Sequence, residues 1–304
     1  MKIAVTGATG FLGRYLVDAL LEAGHPVVGW TRRPLSDANL PSREGLHRVR
    51  GELGRAEDAR ELVRDVDAVV HSGCNRSGVS FLDASREPLR DWHTNATGSL
   101  QLLDAAASAG VRRFVFISSG AVHDKVLTDR PLDETHPLLP STFYGACKAS
   151  VESLVHHYGA SGRMIACTLR PTSIYGVADP ASESKWFDLI RHVYRGDSVT
   201  ATGGSKTVHA SDVAKAVVLL LRQGESIAGE TYNCCDAMIS EYKVARIAQE
   251  LSSQSVEIHG PEKVAKHNIQ TGKLESLGMR FGGEPLLRNT VGRLLEAINT
   301  SPKS

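Results

Sequence analysis

Through its first half the chain alternates short, nearly all-apolar runs with stretches of helical period. Lys2-Ile3-Ala4-Val5-Thr6 reads as a buried strand, and Phe11 to Ala23 as a helix stopped at Gly24. Pro26-Val27-Val28-Gly29-Trp30-Thr31 is a second strand, Arg48-Val49-Arg50-Gly51 a short third, Asp58 to Arg64 a helix, and Ala68-Val69-Val70-His71 a fourth strand. Leu89 to Ala109 is a long helix closing at Gly110, Phe114-Val115-Phe116-Ile117-Ser118 a fifth strand, Tyr144 to Tyr158 a helix, and Met164 to Arg170 a sixth strand. Strands without polar alternation, separated by helices, belong in a parallel sheet covered on both faces. Right-handed crossovers then make that sheet doubly wound. The pattern breaks at Arg170-Pro171; residues 171–206 are mixed, with Gly203-Gly204 as a turn. His209 to Arg222 returns to helix, Thr231-Tyr232-Asn233-Cys234 to strand, Glu241 to Ser252 to helix, and the tail from Val256 reads as short elements. These shifts predict a large domain over 1–170, with 207–235 returning to it, and a smaller one from 171–206 and 236–304.

Composition narrows the class. At 304 residues, 41% apolar and 23% charged, the chain has enough apolar residues for a large core. Thirty-five basic residues against 34 acidic ones leave a formal charge of +1, so no overall field recruits nucleic acid or an anionic membrane. No apolar run approaches the roughly 20 residues that span a bilayer. The chain opens directly on a strand pattern, without the layout of a signal peptide, and a cytoplasmic protein is expected. Five cysteines without a C-x-x-C pair read as small buried hydrophobes in a reducing compartment, with no metal site.

Thr6-Gly7-Ala8-Thr9-Gly10-Phe11-Leu12-Gly13 lies between the first strand and the first helix. Gly7 suits a tight turn, Gly10 a close backbone approach to a pyrophosphate, and Gly13 close packing of helix on sheet. The helix start offers free N–H groups and the positive end of a dipole. An acidic residue at the end of the second strand would hold the ribose hydroxyls of NAD; this strand ends Trp30-Thr31-Arg32-Arg33. Arg32 and Arg33 suit a 2′-phosphate, so NADP is preferred over NAD. Glu52, in Gly51-Glu52-Leu53 after the third strand, could accept from the adenine amine.

Tyr144 and Lys148 are four apart at the start of a helix and share one face. An ammonium beside a phenol favours the phenolate, lowering a pKa of about 10 toward a useful range for acid–base work. Ser119 ends the fifth strand, and in a parallel sheet the carboxyl ends of the strands face the ligand crevice, where this hydroxyl can orient a reacting oxygen beside Tyr144.

Taken together, these motifs resemble an extended short-chain dehydrogenase/reductase of the NAD(P)-dependent epimerase/dehydratase family. The resemblance covers nearly the whole chain. It rests on the glycine loop at 6–13, Asp67-Ala68-Val69-Val70-His71, Asn95-Ala96-Thr97-Gly98-Ser99, Ile117-Ser118-Ser119-Gly120-Ala121-Val122 and Tyr144-Gly145-Ala146-Cys147-Lys148. It continues through Leu169-Arg170-Pro171-Thr172-Ser173-Ile174-Tyr175-Gly176, Val208-His209-Ala210-Ser211-Asp212-Val213-Ala214 and Thr271-Gly272-Lys273-Leu274-Glu275-Ser276-Leu277-Gly278. It implies an α/β fold: a Rossmann-type doubly wound parallel sheet with a smaller C-terminal α/β substrate domain. It implies that Tyr144 is the acid/base, that Lys148 binds the nicotinamide ribose and tunes Tyr144, and that Ser119 polarises the substrate oxygen. Pro171 and Thr172 would line the nicotinamide, Gly73 and Ser118 would lie along the cofactor, and Asn95 would be structural or cofactor-side. The implied substrate is a secondary alcohol or ketone of a sugar or nucleotide-sugar.

The departures are informative. Dehydratases of the family place Asp-Glu after the catalytic hydroxyl residue; Gly120 and Ala121 stand there and carry no proton, so dehydration is disfavoured. An arginine that often holds a diphosphate before Val208-His209 is missing from Gly203-Gly204-Ser205-Lys206-Thr207, leaving Lys206, Arg280 or Arg288 for that task. His123 replaces the usual tyrosine after Ala-Val and reads as a loop residue or a second acid/base. The choice stays open between epimerase and reductase. The alternative of another class is a non-catalytic NAD(P)-binding regulatory or RNA-associated protein of the same fold. The helices at 89–109 and 144–158 are similar to those that pair in family dimers, and a homodimer is expected.

Overall fold

The computed structural model describes residues 1–34, 43–75 and 83–300. The chain divides into two compact units. The first comprises Met1–Pro171, Val213–Cys234 and Ile269–Met279; the second comprises Thr172–Asp212, Cys235–Asn268 and Arg280–Ser304.

In the first unit β1 (Ile3–Thr6), α1 (Phe11–Glu22), β2 (Val27–Thr31), β3 (Leu46–Arg50), α2 (Ala56–Leu62) and β4 (Ala68–His71) follow in order. Next come α3 (Pro88–Trp92), a π-helical turn (His93–Thr97), α4 (Gly98–Ser108), β5 (Arg113–Ile117), α5 (Phe143–Ala160) and β6 (Ile165–Pro171). With β10 (Thr231–Cys234), described below, the seven strands line up as β10-β6-β5-β4-β1-β2-β3, every neighbouring pair parallel. β1 and β4 sit mid-sheet and are buried at every position, as their unbroken apolar runs require. The edge strand β3 carries charged Arg48 and Arg50 and is only partly covered. Helix α1 buries Gly13, Leu16, Val17 and Leu20, the one-face spacing expected from its sequence.

The second unit holds β7 (Ser173–Tyr175), α6 (Phe187–Arg195), β8 (Val199–Thr200) and β9 (Gly204–His209). Helix α7 (Ala210–Leu221) leads from it back into the first unit and to β10. β11 (Ala237–Ser240), α8 (Glu241–Ser252) and β12 (Ile258–His259) follow. The five-residue α9 (Gly272–Ser276) belongs to the first unit, and α10 (Gly283–Thr300) closes the described chain. The sheet order here is β11-β9-β7, with β12 paired to β8. Helices α6, α8 and α10 bury Phe187, Ile190, Val244, Ile247, Leu287, Val291 and Leu294 in a core of their own.

Two expectations are corrected. Residues 269–279, assigned from sequence to the smaller domain, belong to the first unit: Ile269 bridges Leu132, Gln270 N–H donates to Leu132 O at 2.9 Å, and Lys273 bonds Glu230 beside β10. The tail is not all short elements, because α10 runs for 18 residues; its signal is the repeat Leu287, Val291, Leu294, Leu295 and Ile298.

Candidate active site

At the carboxyl edge of the sheet, the loop after β1 is shaped by contacts that no side chain could share. Gly7 takes a φ of +71°, and a Cβ on Gly13 would stand 1.9 Å from the Gly7 carbonyl oxygen. Helix α1 starts at Gly10 with no side-chain cap and no acidic residue in its first turn. Its leading N–H groups and positive dipole end are therefore open to an anion. Thr9 and Gly10 are exposed there, Phe11 and Leu12 half-buried. Gly73 closes the other side, its N–H donating to Thr6 Oγ1 at 2.9 Å. These residues fit the pyrophosphate of a dinucleotide.

Further along the same edge, Arg32 and Arg33 are exposed at the end of β2. Glu52 is exposed after β3, with its N–H on Asp58, while Leu53 packs on the core. Asn95 clamps the loop that follows Gly73: its Oδ1 accepts from Asn75 N at 2.7 Å and its Nδ2 donates to Asn75 O at 2.9 Å. The expected single helix over 89–109 is interrupted here, the π-helical turn carrying Asn95; such widened turns often mark functional sites.

Helix α5 builds the reactive corner. Thr142 caps it by accepting from Gly145 N at 3.1 Å. A Cβ on Gly145 would lie 2.6 Å from Ala121 O, so this glycine lets α5 press against the 3-10 turn Gly120–His123 that follows Ser119. That approach puts the half-buried Tyr144 in a hydrogen bond with Ser119. Ser119 Oγ also accepts from Ala121 N at 3.2 Å. One turn on, Lys148 is buried; its Nζ donates to Ile117 O at 2.7 Å and lies 5.8 Å from the Tyr144 ring centre.

The electrostatics differ from the simple expectation. Burial, and then the nearby Cys74 sulfur, raise the Tyr144 phenol well above the usual range, and only Ser119 pulls the other way. Burial also lowers Lys148. As arranged, Tyr144 keeps its proton at neutral pH and can donate it to an oxygen. The Ser118 hydroxyl, nearly inaccessible, donates to Glu152 Oε1. Pro171 and Thr172 lie at and just beyond the end of β6, whose Leu169 O accepts from Ser118 N at 2.8 Å.

Behind this corner stands a network that motif reading missed. Glu152, two turns after Tyr144 and on the buried face of α5, receives Arg170 Nε and Nη2 at 2.7–3.1 Å. Arg170 Nη1 reaches His123 Nε2 at 3.1 Å. His123 accepts that bond as neutral imidazole, its pKa lowered to about 4 by burial and by Arg170. It is therefore neither a loop residue nor poised as a second acid/base at neutral pH. Cys74, read from sequence as a core hydrophobe, instead bears on Tyr144, Cys147 and Lys148. Its only signal was its place just after Gly73.

Residues 3–235 match the family described as the NAD-dependent epimerase/dehydratase family. The chain belongs to that family. Members similar to it differ in chemistry. A 3-beta-hydroxysteroid dehydrogenase from Mycolicibacterium neoaurum is 30% identical over 197 residues, 62% of this chain and 52% of that protein. A UDP-glucose 4-epimerase from Azospirillum brasilense is 31% identical over 189 residues, 60% of this chain and 51% of that protein. The chain thus spans about half the length of these two relatives. Among solved structures, a UDP-glucose 4-epimerase with UDP-glucose from Thermotoga maritima superposes with a TM-score of 0.80 at 24% identity, all of both chains being covered. A Thermus thermophilus UDP-glucose 4-epimerase in complex with NAD gives 0.78 at 24% identity, over 99% of this chain and 100% of that one. These two likenesses establish the fold. No helix among the described residues is long and apolar enough to cross a membrane.

Proposed function

We propose that this family member is an NAD(P)-dependent epimerase or reductase acting on a secondary alcohol or ketone, of a sugar or nucleotide-sugar. The observation that carries the reading is the Ser119–Tyr144 hydrogen bond, with Lys148 one turn away, at the same sheet edge as the open glycine loop. Gly7, Thr9, Gly10, Phe11, Leu12, Gly13 and Gly73 would hold the dinucleotide's pyrophosphate side. Arg32 and Arg33 support NADP over NAD, since each offers a fork to a 2′-phosphate where NAD enzymes place a carboxylate. Glu52 and Leu53 would meet the adenine, Pro171 and Thr172 the nicotinamide. The dinucleotide supplies hydride exchange.

Ser119 orients the substrate oxygen, and Tyr144 passes its phenolic proton to that oxygen as the carbon is reduced, or recovers it in the reverse direction. Lys148 stabilises the phenolate left after donation. Gly120 and Ala121 offer no second proton, which supports reduction or epimerisation over dehydration. Exposed Leu89, Trp92 and Leu100 on α3 and α4 support the homodimer reading. The test is Tyr144→Phe, which keeps the ring and removes the proton. Turnover with a panel of UDP-sugars should fall about 10²–10⁴-fold while cofactor affinity is unchanged. Full turnover by that variant would refute the assignment. Parallel titrations with NAD and NADP decide the cofactor.

A further inference from the structure

Between the 3-10 turn that follows Ser119 and the helix that carries Tyr144, residues 124–142 form neither helix nor strand. Connections longer than about 12–15 residues without secondary structure are uncommon in compact domains and usually serve a function. The groups that hold this one, from the loop itself, β6, β10 and the segment 269–279, all belong to the first unit. Its two ends are laced together. Leu139 N donates to Val122 O at 3.0 Å and Lys125 N to Leu139 O at 3.2 Å. Ser141 donates through both N and Oγ to Asp124 Oδ2, each at 3.0 Å. Its outer turn is tied to the sheet, where Asn233 N of β10 donates to Glu134 Oε1 at 2.8 Å.

The middle of the loop is built on two imidazoles. His136 is 2% exposed. Leu127 N donates to its Nε2 at 3.0 Å, so Nε2 is an acceptor and the ring proton stands on Nδ1. Nδ1–H donates in turn to Pro137 O at 2.9 Å. His123, also buried, is used in the same way: Nε2 accepts from Arg170, and Nδ1–H reaches the same Pro137 O at 3.4 Å. One carbonyl, with two lone pairs, thus takes both ring protons. The rings themselves meet edge to face, 5.3 Å apart. Downstream of this clasp, Pro140 and Thr142 stand against α5 beside Tyr144: a Cβ on Gly145 would lie 2.9 Å from Pro140 Cβ and 3.0 Å from Thr142 Oγ1.

We propose that His136, with His123 and Asp124, is a positioning residue for the reaction: this clasp fixes the connection 124–142 and thereby the Ser119–Tyr144 hydrogen bond. None of the three needs to touch substrate. The proposal rests on the reading of Ser119 and Tyr144 as the groups that orient and protonate the substrate oxygen. It adds that their alignment is set from the loop between them. Displacing reacting groups by about 1 Å costs up to about 10²-fold in rate, so a slack loop is felt in turnover.

The test compares the full chain as wild type, His136→Asn, His136→Gln and Asp124→Ala. Gln places an acceptor within reach of Leu127 N, whereas Asn is too short and leaves that buried N–H unpaired. Crystal structures should show the Ser119–Tyr144 bond kept in wild type and His136→Gln and broken in His136→Asn. Turnover of UDP-sugars, expressed per cofactor bound in calorimetry so that loss of folded protein cancels, should fall about 10²-fold in His136→Asn and return in His136→Gln. Cofactor affinity should be the same in all. Imidazole ¹⁵N spectra of wild type at pH 7 should show His136 as the Nδ1–H tautomer. An intact Ser119–Tyr144 bond with wild-type turnover in His136→Asn overturns the proposal, as does the Nε2–H tautomer. Should His136→Asn not fold, Asp124→Ala decides: its side chain is exposed, it frees Ser141 next to the cap of α5, and an unaltered bond in it overturns the proposal equally. A wild type that binds no nicotinamide cofactor refutes the functional reading instead, and the crystallographic comparison still judges the clasp.

Discussion

Glu152 and Asp236 are both carboxylates drawn away from water, one in each unit, and their surroundings are opposite. Glu152 is fully enclosed and receives Arg170 twice over, together with the Ser118 hydroxyl. Asp236 is half-buried, accepts Gly283 N at 3.0 Å, and has Asp212 for a neighbour; burial and that like charge raise its pKa. The first arrangement is closed, each charge answered by another, and it stands directly behind Ser119 and Tyr144. The second unit leaves a charge less completely answered, at Asp236. A group whose charge is answered on every side is held in one place, whereas one that faces a like charge is favoured by losing its own.

Substitutions can break or sharpen this contrast. The largest effect belongs to Gly13→Ala, which sets a methyl group 1.9 Å from a backbone oxygen of the first unit. Helix α1 must leave the sheet, and soluble expression or dinucleotide affinity should be lost altogether; retained affinity by calorimetry would contradict the packing. Next comes Glu152→Ala, which strands the Arg170 guanidinium. It should cost about 3–5 kcal/mol in denaturant unfolding and reduce turnover with it.

Acid is a third probe. His71 bridges Thr6 and Ser99 at 2.7 and 2.8 Å, and burial, then Lys148, lowers its pKa to about 3; His123 is lowered to about 4. Both bind protons more readily when unfolded, so stability is retained above the ordinary histidine pKa of about 6.5 and lost as pH falls below it. Melting temperature should drop steadily from pH 6.5 to pH 4, and His123→Asn should lessen the slope. The smallest effect is expected of Asp236→Asn. It keeps an acceptor for Gly283 and removes a charge facing Asp212, so melting at pH 7 should rise slightly, by less than the equivalent of about 1 kcal/mol. An effect as large as that of Glu152→Ala would erase the distinction between the units.

Much of the site was legible in the chain. The glycine loop and the Tyr144/Lys148 spacing are local: strand, turn and helix fix them within a few residues. The partners of those residues are not local. Arg170 finds Glu152 across 18 residues and His123 across 47, because β5, β6 and α5 pack together. Ser118 and Ser119 are equivalent in a motif, yet alternation along the extended chain sends one hydroxyl to Glu152 and the other to Tyr144.

Hydrophobic period and glycine placement, properties of neighbouring residues, determined on their own the parallel sheet, its glycine loop and the helix that carries Tyr144. Tertiary structure alone decided which polar groups meet and how far each is withdrawn from water. It raised the Tyr144 phenol where adjacency to Lys148 suggested the reverse, and it returned residues 269–279 to the sheet unit. Charge and proton affinity depend on desolvation and on partners distant in sequence, and neither exists until the chain has packed.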